Sequence, residues 1–316
     1  GTIADLHRLG YLGPFVPESF GGIGANTVDM LWLAREISYG SRGLACTLAA
    51  NMLWLIPILT AGSESLRRRI AREVLESPVV GSFCFTEPDA GSDILRIRSR
   101  ARRVPGGFLL SGKKCFITNA NHAAHFIVMA KIEGEEDAKR ALNVFYVPAG
   151  EKGLSLGKPL SKLGFRDSNT TEVFLDSVFV PDEHLIGRPG EGLSIALRSL
   201  QRSRTYFIGA AVGLCERAHD LVKEFLGGRE HYGKPLIELH TIRGQLAQLE
   251  SEVRSVWLMG CAAASGWDAG ETSLLESSMG KMLAGQVAMR YASAATELFG
   301  AYGVTSEYEI SRIYRD

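Results

Sequence analysis

The chain has 316 residues, of which 46% are hydrophobic and 22% are charged. This is the composition of an ordinary soluble globular protein with two or three domains. Lys plus Arg and Asp plus Glu both number 35, so the formal net charge is zero. Such a balance excludes a general electrostatic attraction to nucleic acid.

Residues 1–78 carry helical patterns. Asn26 is a favourable N-cap for a helix that runs to about Tyr39. Ser63 can cap a second helix that continues through Leu75 and has apolar residues every four positions. We therefore predict a helical N-terminal domain.

The segment 43–63 contains no charged residue and is long enough to span a bilayer. Pro57 interrupts it, and the neighbouring segments are amphipathic. We therefore expect a pair of buried helices and no membrane span.

Between residues 79 and 188 the pattern changes to short β-prone runs separated by turn residues. Several short strands at this spacing predict an antiparallel barrel or sandwich. The runs are 97–104, 108–110, 125–131, 142–147 and 173–180.

From Gly190 onward the chain is helical again. One stripe of a long helix is formed by Ile242, Leu246, Leu249, Val253 and Val256. Long helices joined by short breaks that contain glycine predict an antiparallel bundle. The predicted fold is thus multidomain α+β: a helical N-terminal domain over 1–78, a central antiparallel β-barrel domain over 79–188, and a C-terminal four-helix bundle over 189–316.

The five cysteines are scattered and include no Cys-x-x-Cys pair. They predict reduced thiols, and hence an intracellular protein. The seven histidines include no His-Glu-x-x-His and no cluster of partners, so we expect no metal site.

Two segments carry the chemical information. Residues 83–93 read Phe-Cys-Phe-Thr-Glu-Pro-Asp-Ala-Gly-Ser-Asp, and residues 112–119 read Gly-Lys-Lys-Cys-Phe-Ile-Thr-Asn. In each, an apolar run ends on a hydroxyl residue, Thr86 or Thr118, and breaks into a turn. This arrangement sets two hydroxyls at the ends of two buried strands, where a flat polar ring could be held.

Together these segments resemble the flavin-binding signature of the acyl-CoA dehydrogenase family. Three further stretches agree with it in the same order. Residues 163–176 resemble the family's strand before a Val-Pro turn. Residues 229–235 look like its Arg-x-x-Phe-Gly-Lys-Pro, and residues 297–303 with 312–316 look like its Gln-x-x-Gly-Gly-x-Gly and closing Tyr-Arg-Asp. The resemblance covers essentially the whole chain.

The resemblance implies an FAD-dependent enzyme that removes two hydrogens from neighbouring carbons of an acyl thioester. A base takes the α proton while the β hydride goes to the flavin. It also implies partners: an acyl thioester on coenzyme A or an acyl carrier protein, an electron-accepting flavoprotein, and further copies of the chain in a dimer or tetramer. The implied setting is fatty acid metabolism in the cytoplasm, or in the mitochondrial matrix of a eukaryote.

Carried over position by position, the resemblance also implies site residues. The cofactor-binding positions would be Phe83, Phe85, Thr86, Ser92, Phe116, Thr118, Arg229, Tyr232, Glu297 and Ala301. Phe116 would pack on the flavin face, while Arg229 and Tyr232 would reach a neighbouring subunit's FAD. Ser92 and Arg204 would contact the substrate. Taken singly, the three phenylalanines would be interpreted as core residues, the threonines as strand-end hydroxyls, and Arg229 as a solvated charge; only their joint occurrence favours a site.

Some positions depart from the family pattern. Phe116 stands where the family usually has Trp. Phenylalanine retains the stacking but lacks the indole N–H donor. Glu297 replaces the usual Gln, and a carboxylate there would repel phosphates. Ala301 replaces the second Gly, so the backbone would approach the cofactor less closely.

The catalytic base is missing from the motifs. Most of the family carries a Glu shortly after Tyr-Arg-Asp, which would lie beyond Asp316; a second branch carries it at the position of Ser203, beside Arg204. We therefore expect a chain trimmed at both ends. The alternatives are a flavin-dependent monooxygenase of the same fold, which needs no such base, and a non-catalytic family member.

Overall fold

The structure is a computed structural model that describes residues 2–271 and 273–316. By its contacts the chain divides into two compact units, which are described separately. The first unit comprises Gly1–Ala25, Cys46–Ser161 and Ser168–Leu200, and the second comprises Asn26–Ala45, Lys162–Asp167 and Gln201–Asp316. The domain limits given above stay predictions.

The order of elements along the chain is helical, then β, then helical, as predicted. The helices are α1 (Thr2–Arg8), α2 (Thr27–Gly40), α3 (Arg42–Ala61), α4 (Glu64–Glu76), α5 (Ala138–Ala141), α6 (Gly192–Gly227), α7 (His240–Asp268), α8 (Leu274–Leu298) and α9 (Glu309–Arg315). The strands are β1 (Val80–Cys84), β2 (Arg100–Val104), β3 (Gly107–Thr118), β4 (Ala123–Ile132), β5 (Leu142–Pro148), β6 (Leu154–Leu156), β7 (Thr170–Pro181), β8 (Leu185–Ile186), β9 (Glu230–His231) and β10 (Lys234–Pro235).

The early helices begin at the predicted caps. Asn26 accepts a hydrogen bond from the Asp29 backbone N–H, and the Asp29 side chain accepts one from the Asn26 backbone N–H, which forms a capping box. Ser63 accepts from the Leu66 N–H at the start of α4. Both predicted helices are confirmed.

The uncharged segment forms one helix, so the prediction of a helix pair broken at Pro57 is wrong. Pro57 lies inside α3, where it removes one backbone N–H. The helix continues because its flanks are held by packing: Trp54, Leu55 and Ile58 are fully buried. By length and composition α3 could cross a membrane, but 72% of its apolar window is buried inside the structure.

The strands of the first unit form an eight-stranded sheet in the order β6-β7-β3-β2-β4-β5-β8, with β1 beside β4. Most neighbours are antiparallel, as predicted. Two pairings, β1 with β4 and β2 with β4, are parallel, so the sheet is mixed where the sequence prediction was purely antiparallel. The prediction was based on the spacing of short β-prone runs, and that spacing does not determine which strands become neighbours.

The helices of the second unit pack around an apolar core. The stripe predicted on α7 is confirmed, with Leu246, Leu249, Val253 and Val256 buried. Near this core the rings of Trp32 and Trp257 contact each other edge to face, and the Arg35 guanidinium lies 4.9 and 5.0 Å from their centroids.

Helices α6 and α2 approach each other closely at two glycines of α6. A Cβ at Gly209 would lie 2.2 Å from the Leu31 carbonyl oxygen, and one at Gly213 would lie 2.0 Å from that of Arg35. Backbone atoms cannot give way as a flexible side chain can. The two glycines, four residues apart, therefore allow the helices to contact through their backbones.

Gly213→Ala is expected to lower the free energy of unfolding by about 1–3 kcal/mol, because overpacking outweighs the roughly 1 kcal/mol helix preference of Ala. The matched control is Gly244→Ala in α7, where a Cβ would meet no atom within 4 Å. That control should be stabilising by about 0.5–1 kcal/mol. Urea unfolding of both variants measures the difference, and a stabilising Gly213→Ala would contradict the close approach.

Candidate functional site

The two segments 83–93 and 112–119 meet in the first unit. The backbone N–H of Cys115 donates to the Thr86 carbonyl oxygen at 2.9 Å. On the other side, the Ser82 hydroxyl donates to the Thr118 carbonyl oxygen at 2.8 Å. The two threonines predicted to hold a flat ring lie beside these contacts, Thr86 two residues after the end of β1 and Thr118 at the end of β3, and both are half-buried.

Phe116 protrudes from a bulge in β3. The register with β7 shifts between Lys114 and Ile117, and Phe116 has a φ of 57°, in the left-handed region that an L-residue rarely adopts. Its side chain is 68% exposed. The interpretation of Phe116 as a plain core residue is therefore wrong: the backbone is strained so that an aromatic ring faces outward.

Phe83 and Phe85 stack on one another, with ring centroids 3.7 Å apart and an interplanar angle of 18°. Phe85 is buried and belongs to an apolar cluster with Trp54 and Ile97, whereas Phe83 is half-buried at its edge. The interpretation of Phe85 as a core residue therefore fits its side chain. Only the backbone of Phe85 is left to contact a ligand.

The first segment turns back on itself after Thr86. Glu87 and Ala90 exchange two backbone hydrogen bonds, of 2.9 and 3.2 Å. This turn leaves Ser92 exposed beyond it. A hydroxyl there is free to meet a ligand approaching from solvent.

Sequence reasoning missed a buried ion pair beneath these residues. The Lys114 ammonium donates to Glu87 Oε1 at 2.7 Å and to the Phe85 carbonyl oxygen at 3.2 Å. The two side chains are 0% and 5% exposed. The sequence did hold a signal, because strand alternation from Phe108 and Leu110 places Lys114 on the inward side, where a charge needs a buried partner.

The electrostatics of this pair follow from its surroundings. Burial alone would raise the pKa of Glu87, but the Lys114 ammonium and the donors of Ser99 and Arg98 bring that pKa below its ordinary value. Burial lowers the pKa of Lys114, and the Glu87 carboxylate opposes that shift. Each group therefore favours the ionised form of the other against the cost of burial.

Asn119 closes the second segment, and it too was missed. It has a φ of 68° and is buried. Its side-chain amide donates to the Thr47 carbonyl oxygen at 3.0 Å. Asparagine tolerates the left-handed region better than most residues, so Asn119 ends the strand directly after Thr118 and ties that end to α3.

Arg229 and Tyr232 lie on an exposed hairpin of the second unit, formed by β9 and β10. Tyr232 is 94% exposed and has a φ of 49°. The Arg229 guanidinium lies over the rings of Tyr302 and Phe225, 5.1 and 5.7 Å from their centroids. Tyr232 is thus a second exposed aromatic residue on strained backbone, and Arg229 is more than a freely solvated charge.

Glu297 and Ala301 are exposed near the C-terminal end of α8. Gly303 has no room for a side chain, since a Cβ there would lie 2.3 Å from the Thr296 carbonyl oxygen. Gly300 has a φ of 59°. The turn is therefore built on Gly300 and Gly303, and Ala301 is accommodated between them.

Ser203 and Arg204 lie in α6, also in the second unit. Ser203 is buried. Arg204 donates to the Ser278 hydroxyl of α8 at 2.6 Å. Position 203 thus carries a hydroxyl side chain and no carboxylate.

A cavity of about 510 Å³ opens in the second unit. Three cationic side chains, Arg42, Lys281 and Arg315, border its largely apolar wall, which includes Phe207 and Ile313. Among the described residues that line it there is no predicted cofactor-binding or substrate-binding residue.

Comparison with known proteins identifies the class to which this fold and these segments belong. Three family descriptions match in order: the acyl-CoA dehydrogenase N-terminal domain over residues 1–77, the middle domain over 82–178, and the C-terminal domain over 190–316. The chain belongs to the acyl-CoA dehydrogenase family and is an oxidoreductase of that type.

Individual relatives span the whole chain. It is 34% identical to a glutaryl-CoA dehydrogenase of Desulfococcus multivorans, over 100% of this chain and 82% of that protein. The structure of butyryl-CoA dehydrogenase from Megasphaera elsdenii is similar with a TM-score of 0.95 and 29% identity, over 99% of this chain and 83% of that one. A glutaryl-CoA dehydrogenase from Mycobacterium smegmatis in complex with FADH2 has a TM-score of 0.92 and 27% identity, over 99% and 80%. The predicted family, fold and class of enzyme are confirmed.

Proposed function

We propose that this chain binds FAD and dehydrogenates an acyl thioester between its α and β carbons. The observation that carries the proposal is the pair formed by an outward aromatic ring at Phe116 and a strand-end hydroxyl at Thr118, two residues on. A flat, polar ring system needs an apolar face to stack on and hydrogen-bonding groups at its edge. FAD, when bound, would accept the β hydride.

The residues fit the cofactor in kind. Phe116 offers a ring face held outward by strained backbone. Thr86 offers a hydroxyl just after β1 and Thr118 offers one at the end of β3, while exposed Ser92 offers another for the phosphates or the thioester. We propose that the polypeptide of Phe83 and Phe85 borders the ring, with their side chains stacked on each other.

We further propose that the protein is a homo-oligomer, a dimer or tetramer, in which Arg229 and Tyr232 meet a neighbouring subunit's cofactor. The support is the exposed hairpin that carries them and an apolar stripe on α8. Five large hydrophobic side chains of that helix are exposed, and four of them, Leu275, Met279, Met282 and Met289, recur three, four or seven residues apart. An exposed apolar stripe of this kind is typical of surfaces that are buried between subunits.

The proton-abstracting base is assigned to no described residue. Ser203 lies at one of the two positions where the family carries it, and a hydroxyl is too weak a base to act there unaided. Arg204 would contact the substrate beside it. Glu297 and Ala301 would lie near the cofactor, as the resemblance implies.

The test is anaerobic mixing of the FAD-loaded protein with a panel of acyl-CoA thioesters and carrier-protein thioesters. Loss of the visible flavin absorption on mixing with a member of the panel, together with formation of the enoyl product, is the expected result. Retention of the absorption across the whole panel would contradict dehydrogenation. Oxygen-dependent hydroxylation by the reduced protein would favour the monooxygenase alternative.

Phe116→Gly is expected to weaken FAD binding by about 3- to 10-fold, the loss of one aromatic contact. Stability of the apoprotein should stay the same or rise, since glycine relieves a left-handed φ that costs about 1 kcal/mol. Fluorescence titration with FAD and thermal melting of the apoprotein measure the two effects.

The control for that variant is Phe179→Ala, which removes another exposed phenylalanine, in β7 of the same sheet. It should leave FAD affinity unchanged. If Phe116→Gly and the wild-type protein bind FAD with equal affinity, Phe116 does not contact the flavin.

A further inference from the structure

We propose that the buried Lys114–Glu87 ion pair is the positioning element that sets the two flavin-binding segments at a fixed separation. This inference rests on the proposed function, because the quantity it controls is the placement of Thr86 and Phe116 toward the flavin. Neither charged group reaches the surface. Their role is therefore exerted through the residues on either side of them.

On the first segment the pair holds the turn after Thr86. Glu87 Oε1 accepts from the Ser99 N–H at 3.0 Å and from the Ser99 hydroxyl at 2.5 Å, and Oε2 accepts from the Arg98 N–H at 2.6 Å. Lys114 donates to the Phe85 carbonyl oxygen. The polypeptide on both sides of Thr86 is thus fixed by these two side chains.

On the second segment the pair defines the bulge. Lys114 and Ile117 both point inward although they are three residues apart, and a regular strand would turn them to opposite faces. The inward anchorage of Lys114 therefore requires the extra residue that rotates Phe116 outward. The same anchorage leaves the Cys115 N–H aligned on the Thr86 carbonyl oxygen.

An apolar pair could serve stability equally well at this place. Desolvation of two charges costs about as much as their attraction returns, and buried pairs replaced by hydrophobic residues are often neutral in stability. Apolar contacts are not directional, whereas hydrogen bonds are. The Lys114 ammonium donates to Glu87 Oε1 and to the Phe85 carbonyl oxygen, so it determines the distance and the orientation of the two segments relative to each other.

The experiment uses the double variant Lys114→Met with Glu87→Gln, which removes both charges and keeps similar volumes. The matched control removes the exposed pair of the neighbouring residue, Lys113→Met with Glu172→Gln, whose side chains are 2.8 Å apart on the same strand pair. Two readouts are taken on each protein. One is the dissociation constant of FAD with the visible circular dichroism of the bound flavin, and the other is hydrogen exchange of the Cys115 amide in the apoprotein.

The double variant is expected to bind FAD at least 10-fold more weakly, with an altered visible circular dichroism, and to exchange the Cys115 amide at least 10-fold faster while β4 amides stay protected. The control should match the wild type in both. If the double variant does not fold, Ser99→Ala, which removes the hydroxyl that donates to Glu87 Oε1 and leaves both charges in place, is measured by the same two readouts and should show smaller changes in the same directions.

Wild-type FAD affinity together with a protected Cys115 amide in the double variant would overturn the proposal. Absence of flavin binding by the wild-type protein would overturn the proposed function instead. In that case the Cys115 amide still decides whether the ion pair positions the two segments.

Discussion

Lys114→Met is expected to lower the free energy of unfolding by about 3–5 kcal/mol, one of the two largest effects anticipated for this chain. Removing one member of a buried ion pair leaves the other charge without its partner in a medium that cannot solvate it. Here the stranded group is Glu87, which is 5% exposed. Urea unfolding of the apoprotein at neutral pH, followed by far-ultraviolet circular dichroism, measures the loss.

Lys113→Met is the matched control, because the two lysines are adjacent in β3 and each pairs with a carboxylate at 2.7–2.8 Å. The Lys113 side chain is 45% exposed, so its ion pair is screened and worth less than about 1 kcal/mol. A Lys114→Met variant as stable as Lys113→Met would contradict the claim that Glu87 is left as an uncompensated buried charge.

The second large effect is a loss of stability in acid that depends on His125. This side chain is 3% exposed and stacks on Trp54 at 4.8 Å, and its Nδ1 lies 3.0 Å from the Tyr146 hydroxyl. Burial, with a smaller contribution from the Arg69 charge, lowers the pKa of His125 to about 4. The Glu73 carboxylate, 3.4 Å from Nε2, favours the charged form, but it is 39% exposed and water weakens its attraction.

The sign follows from proton binding. Between pH 6.5, the ordinary pKa of histidine, and about pH 4 the unfolded chain binds a proton at His125 that the folded chain does not. Stability is therefore complete above pH 6.5 and falls by roughly 3 kcal/mol as the pH drops to 4. Burial, followed by the Arg69 charge, also lowers the pKa of His184, which adds to the loss in the same direction.

Unfolding free energies of the wild type and His125→Phe measured from pH 7 to pH 4 test this effect. Phenylalanine keeps the stacking on Trp54 and cannot be protonated, so the variant should lose about 3 kcal/mol less than the wild type across that interval. His122→Phe, at an exposed position of the same region, serves as the control and should follow the wild-type slope. Parallel curves for wild type and His125→Phe would contradict a neutral buried histidine.

The helices were predictable from local signals. The capping residue Asn26 and the apolar stripe of α7 each act within one helix, so sequence spacing alone contains them. The same reliance on local signals made the prediction at Pro57 wrong. A proline breaks an isolated helix, but the cost at α3 is offset by the packing of Trp54 and Ile58, which no local pattern encodes.

The candidate site was only partly predictable. The resemblance supplied Phe116 and Thr118, but the outward direction of Phe116 depends on a bulge relative to β7, a strand far along the chain. The pairing of Lys114 with Glu87 was missed because the inward position of Lys114 indicates only that a buried partner is needed and does not identify that partner. Their partnership exists only after β3 and the turn following β1 are brought together.

The most direct test of the central claim, that residues 83–93 and 112–119 form a flavin-binding surface, is the stoichiometry of FAD binding. Folded apoprotein is incubated with excess FAD, separated from free cofactor by gel filtration, and measured for flavin and protein content. The predicted result is one FAD for each chain, with the visible bands of oxidised flavin and a raised melting temperature. A folded protein that emerges colourless, with its melting temperature unchanged by FAD, would contradict the claim.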